Sequence, residues 1–553
     1  MHRADSVDVV RGNGERPAIT CSVRDMIARA ARVITDAAGC DAMHRAVDLA
    51  RRLFFGDPRR LAREAQHALW IAGDSDLRRF AGDLRFSGSQ HVAFGQIRFR
   101  DGARQTVGLS RERLFATHLA ISGASGSGKT TLALDLIDQL IREPGARLVA
   151  LDPKGDLDRG LRDERLPILA HRLGPAFADQ VRYLRPFAGG PFPPLRLTAR
   201  ESGTPIEVQS LSLATALAEA SGLPLTPPAV QAFTKLAWLA IELNEPLTLI
   251  VTWIARPEMF ARAARRSEDE RLRHYAIVEF AREHRGMLRA LQARLESVLL
   301  LPSVRAALEA PICISFAQSL EEHHLLIDLS HPPGGEEAAV RILGGPIVGR
   351  LTRAMLSRPV QDDSPQVVFA VDELQELLTH YEAASFARLA ALARSRRVSL
   401  LCANQQQIQL GSKLAEVVRT NAGVEILFRC HAADAEKLAH VLPVSPAAEH
   451  PSEERRALVR RMVSLPRRHC LLWVKDGAVP AHFIRARKVD FDALRQAVAD
   501  VPAGTRDILG RWPETYATRG VPAVGVESAG PARPPSHPPK AEPKSDSCFP
   551  SLG

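Results

Sequence analysis

Residues 121–131 read Ile-Ser-Gly-Ala-Ser-Gly-Ser-Gly-Lys-Thr-Thr, and the rest of the chain is organised around them. Gly123 and Gly128-Lys129-Thr130 satisfy the G-x-x-x-x-G-K-[ST] phosphate-loop pattern without a mismatch. A loop that wraps a triphosphate must aim main-chain N–H groups inward, which favours glycine at Gly123, Gly126 and Gly128. Ala124, Ser125 and Ser127 complete the cradle, and Thr131 follows it. Lys129 is placed to reach the β- and γ-phosphates, and the Thr130 hydroxyl to bind Mg²⁺. The apolar run Leu119-Ala120-Ile121 leads in as a strand. Leu132, Leu136 and Leu140, with Ile137 and Ile141, then share one helical face. The phosphates would therefore sit on a helix N-terminus. The expected ligands are ATP and Mg²⁺.

At 553 residues the chain exceeds one simple core, so two or three domains are expected. A hydrophobic content of 45% with 25% charged residues is ordinary for a globular protein. No uncharged apolar stretch approaches the ~20 residues that span a bilayer. Runs such as Ala220–Thr234 are broken by Pro224, Pro227 and Pro228. Met1-His2-Arg3-Ala4-Asp5 has no apolar segment behind it, unlike a secretory leader. The cysteines (Cys21, Cys40, Cys313, Cys402, Cys430, Cys470, Cys548) are scattered and never in C-x-x-C spacing, which argues against a zinc site or a disulfide framework. The expected compartment is the cytoplasm. A net charge of +10 suits a polyanionic partner such as DNA.

The order of patterns predicts an α/β protein: a P-loop NTPase core with a mostly parallel sheet, an inserted all-α subdomain and a small N-terminal region. Residues 1–107 hold short helical patterns (Met26–Ala37, Ala42–Phe55, Arg60–Ile71). A strand pair over Val92–Val107 follows, turning at Asp101-Gly102. The first core segment covers 108–190. Residues 191–318 read as helices (Val208–Ala220, Ala229–Leu243, Leu247–Ala264, Glu270–Leu300). The core resumes over 319–495 with a strand at Leu325–Leu329 and a helix over Glu336–Leu356. In 521–553 the prolines multiply, and this tail is expected to be disordered.

Val367-Val368-Phe369-Ala370-Val371-Asp372-Glu373 is an apolar strand ending in two carboxylates, the Walker B pattern. Asp372 is assigned to Mg²⁺, and Glu373 to the attacking water as general base. Ser399-Leu400-Leu401-Cys402-Ala403 reads as the next strand. In ATPases with an extra strand between the two Walker strands, a polar residue at its tip senses the γ-phosphate. Gln405 is the candidate, with Asn404 and Gln406 as rivals. Upstream lies Arg394-Ser395-Arg396-Arg397, where a guanidinium could serve a neighbouring subunit's site. An ABC-type signature is absent from Ser357–Gln366. Asp372-Glu373-Leu374-Gln375 is similar to a helicase D-E-x-Q box, but too little chain follows Leu410 for a second ATPase lobe.

Four stretches resemble the HerA/FtsK superfamily of ring ATPases, especially the TraG/TraD-type conjugative coupling ATPases. They are Thr117–Thr130, Leu148–Asp156 with its Asp-Pro-Lys-Gly-Asp end, Asp372 through Arg394 to Gln405, and Arg419–Arg429 followed by Asp434-Ala435. Arg394 keeps the family's spacing of eleven residues before the strand-end Gln405. Two features depart from the coupling-ATPase branch. No N-terminal transmembrane stretch is seen, and Arg394-Ser395-Arg396-Arg397 stands where that branch has Arg-Lys-x-Gly. The resemblance implies a homo-oligomeric ring, in its expected form a hexamer, with ATP between subunits. It implies that Lys129, Thr130, Asp372, Glu373 and Gln405 act in cis and Arg394 in trans, with DNA moved through the pore. Asp152 and Lys154 would stabilise the site or couple it to a neighbour. A protein-secretion motor of the type IV kind, the ATPase subunit of a defence complex with a separate effector, and a slow nucleotide-gated scaffold are the other classes carried forward.

Overall fold

The computed structural model describes residues 74–511, apart from 100, 188–195, 202, 221–224, 302–303, 306–313, 331–336, 362, 378–379, 406–411, 443–450 and 476–480. The three helical patterns expected before Ile71, the expected disordered tail over 521–553 and Gln406 lie outside the described residues. Among the described residues the strands form one sheet of eleven. In chain order these are β1 (His91–Arg98), β2 (Arg104–Ser110), β3 (His118–Ser122), β4 (Ala146–Asp152), β5 (Val181–Leu184) and β6 (His324–Asp328). They continue with β7 (Gln366–Asp372), β8 (Val398–Asn404), β9 (Ala422–Leu427), β10 (His469–Val474) and β11 (His482–Ala486).

The spatial order is β2-β1-β11-β10-β9-β3-β8-β7-β4-β6-β5. From β9 to β5 every pairing is parallel; from β9 through β10, β11 and β1 to β2 every pairing is antiparallel. The expected α/β fold with a mostly parallel sheet is present. Strands of the parallel part read as unbroken apolar runs because helices cover both faces. Within β3 and β4 the side chains alternate between two cores. Ala120, Val149 and Leu151 enter one, Leu119, Ile121, Leu148 and Ala150 the other.

The helix Lys129–Leu140 after the phosphate loop lies on the second core. Helix Glu337–Ser357 lies on the first and carries Pro346 within it. The helices expected between the two core segments are found at Ile206–Ala220, Pro227–Glu242, Thr248–Ala255, Pro257–Ala264 and Arg285–Leu299. The mainly helical stretch expected over Leu247–Ala264 holds two helices. Pro257 lacks the N–H an interior position needs, so a second helix starts there. The mainly helical stretch expected over Glu270–Leu300 is likewise divided, because the His284 ring caps a new start by accepting from Met287 N–H at 3.3 Å. Phe233, Leu236 and Phe260 of these helices, with Tyr275 from the segment between the last two, share one core with the sheet residues Val149, Phe369 and Leu400.

The strand pair expected at Val92–Val107 is β1–β2. Its turn is built on Asp101, whose carboxylate accepts from Ala103 N–H at 2.8 Å, and on Gly102 at φ +88°. The pair adds to the edge of the same sheet through β11, with Gly95 opposite Ala486.

Candidate functional site

The carboxyl ends of β3, β8, β7 and β4 meet at one crevice, the usual ligand position in an open α/β sheet. Strand β8 separates β3 from β7, so the extra strand expected between the two Walker strands is present. Gly123, Gly126 and Gly128 have φ of +149°, +70° and +115°, values that L side chains rarely adopt. Gly123 has a second reason to be glycine. A Cβ there would lie 2.5 Å from Cβ of Phe428. The same buried ring would be 3.5 Å from a Cβ at Gly128. The loop is pinned to both flanking strands: Gly123 N–H donates to Asn404 O at 3.3 Å and Ala124 N–H to Arg429 O at 2.6 Å.

Phe428 and Arg429 thus shape the phosphate loop from the end of β9. Residue chemistry alone did not single them out; they stood only within the stretch Arg419–Arg429. Arg468 is a second unexpected neighbour. Its N–H donates to Ser127 O at 3.0 Å, and its own φ is +66°.

Lys129 opens the helix with its side chain buried and its Nζ 3.5 Å from Ala124 O. Burial holds its pKa below the usual lysine range, against the opposing pull of Glu373 and Asp372. Thr130 and Thr131 follow, half-buried. Asp372 ends β7 with its carboxyl pushed up to about 7. Burial is the main cause, followed by the charges of Asp152 and Glu373, against the pull of Lys129 and Lys154. Its Oδ1 is buried without a hydrogen-bond partner, as are Ser127 Oγ and Asn404 Oδ1. Buried oxygens are ordinarily paired. A carboxylate raised in this way is one from which a divalent cation readily displaces the proton. The residues present therefore fit Mg²⁺ and a polyphosphate, with Asp372 and Thr130 on the metal side and Lys129 with the loop amides on the phosphate side.

Glu373 adopts the left-handed region (φ +52°), a conformation that costs a non-glycine residue on the order of 1–3 kcal/mol. Its N–H still donates to Ala403 O at 2.7 Å, so the strand ends in a sharp turn. The carboxylate is buried and held from two sides. Gln405 N–H donates to Oε2 at 3.2 Å, and Lys154 Nζ lies 3.6 Å from Oε1. Lys154 is delivered by the Asp-Pro-Lys-Gly-Asp turn, which Asp152 organises. Asp152 Oδ1 accepts from Lys154 N–H and its Oδ2 from Asp158 N–H, each at 2.8 Å, while Gly155 turns at φ +84°. Within the chain, Asp152 organises the loop and Lys154 is the group that meets Glu373. Gln405 reaches the site through its main chain. Asn404, its rival, is buried beside Ser122, the last residue of β3.

Arg394 is elsewhere. It is exposed, with Nη2 3.1 Å from Asn421 O and 3.5 Å from Thr117 Oγ1, at the amino ends of β3 and β8. The strand between that end and the crevice is roughly 20 Å long. The structure does not bring Arg394 to its own chain's phosphate loop.

The family model for the central domain of the helicase HerA matches residues 92–242, from β1 through the phosphate loop into the helical insertion. Among solved structures, the chain is similar to the bacterial conjugative coupling protein TrwBΔN70 in its unbound monoclinic form. They share 18% identity over 69% of this chain and 86% of that one, with a TM-score of 0.47. Against TrwB in complex with the ATP analogue ADPNP the values are 17%, 74%, 91% and 0.49. Against VirB4 of Thermoanaerobacter pseudethanolicus they are 15%, 74%, 99% and 0.49. No curated protein matches the sequence. Among the described residues no helix is long and apolar enough to cross a membrane.

Proposed function

We propose that the chain is a ring-forming ATPase that couples hydrolysis to DNA translocation. One arrangement carries the ATPase part. A partnerless buried oxygen of Asp372 faces a glycine-rich loop at a helix N-terminus, with Glu373 positioned next to it by Lys154 and Gln405. Lys129 and the amides of residues 123–131 would bind the triphosphate, and Thr130 and Asp372 the Mg²⁺. Glu373 would take the proton of the attacking water while Gln405 reports on the γ-phosphate. Arg394, exposed and far from its own site, would complete the site of the next subunit. That role requires a closed ring, for which a hexamer is the reading. The HerA likeness and the net charge of +10 support DNA as the moving partner.

The deciding experiment measures ATPase rate with and without single- and double-stranded DNA, together with the mass of the assembly. The expected outcome is a ring whose turnover rises with DNA and whose DNA binding weakens steeply with salt. A protein that neither binds nor responds to either form at low salt would overturn the DNA reading. A protein-secretion motor or the ATPase subunit of a defence complex would then take its place.

A further inference from the structure

A second concave site lies on the antiparallel flank. It is a cleft of about 780 Å³ between β1, β2, β11 and the far end of helix Lys129–Leu140. Seven of its lining residues are arginine or lysine, and no aspartate or glutamate lines it among the described residues. Three of the cations are paired with carboxylates behind the wall: Arg111 with Glu143 at 3.1 Å, Arg142 with Asp138 at 2.5 Å and Arg487 with Asp135 at 3.5 Å. Lys488 lies near Asp490, which caps the following helix. Arg104, Arg468 and Arg485 form no ion pair among the described residues. Like charges gathered in a concavity repel one another, and a cleft focuses their field outward onto a counter-ion. Here the unpaired cations are spread along the cleft, with Arg104 on β2, Arg485 on β11 and Arg468 just before β10, and the cleft spans three strands and a helix end. Such a distribution fits a row of phosphates.

Two further features specify the polymer. The cleft contains rings as well as charge: Phe86 and His91, edge to face with centroids 6.3 Å apart. Cationic grooves with ring surfaces suit unpaired bases, which stack, better than a duplex, whose bases are already stacked. The cleft also touches the phosphate loop mechanically. Arg468 lines it and donates its N–H to Ser127 O. Gln139, on the phosphate-loop helix, bonds both the N–H (2.8 Å) and the carbonyl (3.2 Å) of Ala93 on β1.

We propose that this flank cleft binds single-stranded nucleic acid, with Arg104 and Arg485 on the phosphates and Phe86 against a base. Strand occupancy would then be transmitted to the phosphate loop through Arg468. The inference deepens the DNA reading above and rests on it.

The test uses the full chain and follows the anisotropy of a fluorescein-labelled oligothymidylate and a labelled hairpin duplex. The variants are Arg104→Glu/Arg485→Glu and, as a milder pair should the reversal impair folding, Arg104→Gln/Arg485→Gln. Both pairs lie outside the catalytic crevice, so basal ATPase should be unchanged. Oligothymidylate affinity should fall roughly tenfold or more. The slope of log affinity against log salt should shrink by about 0.7 for each phosphate that is no longer neutralised. Stimulation by the oligonucleotide should fall with it. Equal binding by wild type and variants overturns the cleft and leaves the DNA reading standing. Tighter duplex binding that depends on these arginines overturns the single-strand assignment. A variant that keeps DNA affinity but loses the ring's mass makes the cleft a subunit interface and overturns it as a strand site. A wild type that binds neither nucleic acid defeats both readings.

Discussion

Strands β3 and β8 have two ends, and the protein treats them differently. At the amino end the polar groups of His118, Ser399 and Thr117 are partnered. His118 donates from Nε2 to Ala390 O at 2.9 Å and accepts Leu400 N–H at Nδ1, 3.2 Å away. Ser399 Oγ donates toward Leu114 O and Thr117 O, and Thr117 Oγ1 accepts from Gly423 N–H at 3.0 Å. At the carboxyl end of the same strands and of β7, Ser127 Oγ, Asn404 Oδ1 and Asp372 Oδ1 are buried with no partner. A buried unpaired oxygen costs on the order of 1–3 kcal/mol. Of these two ends, the carboxyl end carries that cost, where a ligand would supply the missing partners. The amino end holds the sheet together, and the carboxyl end is built to be completed.

Arg394 blurs that division, since it sits at the amino end with a role proposed at a neighbour's carboxyl end. Breaking it gives the largest expected effect. Lys129→Ala should abolish ATP binding and Glu373→Gln should bind but stall. Arg394→Ala should bind almost normally yet lose ~10³–10⁵ in turnover, the contribution of an arginine finger. Mixing Glu373→Gln with Arg394→Ala should restore part of the rate, because some interfaces then pair an intact Glu373 with an intact Arg394. A steady-state ATPase assay of the mixture checks this. A fully active Arg394→Ala protein would move the role to Arg396, Arg397 or Arg419.

The satisfied end makes its own prediction. Burial pushes the His118 ring down to about 4, so the folded chain keeps it neutral while the unfolded chain titrates near 6.5. The unfolded state then binds more protons between those values. The stabilisation His118 provides is complete above about pH 6.5 and is lost as pH falls toward 4, by on the order of 3 kcal/mol. His324, fully buried at the start of β6 and pushed down to about 3, acts in the same direction. Asp158, pushed up to about 6, opposes it, because protonation relieves its burial. The informative quantity is therefore the difference between wild type and His118→Asn, which keeps an acceptor for Leu400 N–H. Denaturation midpoints from pH 7 to 4 should fall less steeply in the variant. Parallel curves would mean that His118 contributes nothing to the acid sensitivity.

The two ends were unequally legible in the sequence. The phosphate loop, Asp372 and Glu373 could be read because a triphosphate demands particular residue types at fixed spacing, and the parallel strands because both faces are apolar. The support under the loop could not. Phe428 is one buried phenylalanine among many, and its 2.5 Å approach to a Cβ at Gly123 adds a second reason for that glycine. The break at Pro257 is marked by the proline itself, whereas the one at His284 depends on a ring-to-amide cap that only the structure shows. The flank cleft was also invisible, since its arginines come from separated segments that only the antiparallel pairing of β1, β2 and β11 brings together.

Lys154 gives the smallest and most discriminating effect. It belongs to the open end, where it lies 3.6 Å from Glu373 with its own side chain 38% exposed. An ammonium beside a general base has two opposing consequences. It fixes the carboxylate's orientation, which favours attack, and it stabilises the ionised form, which weakens the base. Exposure screens the second effect, whereas orientation depends on the Asp152-organised turn and is not screened. Orientation should therefore win. Lys154→Met should lower turnover about tenfold, a cost on the order of 1 kcal/mol, with ATP affinity nearly unchanged. Lys154→Arg should recover most of the rate, and Asp152→Asn should imitate Lys154→Met by loosening the turn. Turnover measured across pH separates the two consequences, because a positioning role lowers the plateau without moving the profile. Faster turnover in Lys154→Met would instead show that the lysine restrains Glu373 until a ligand draws it away.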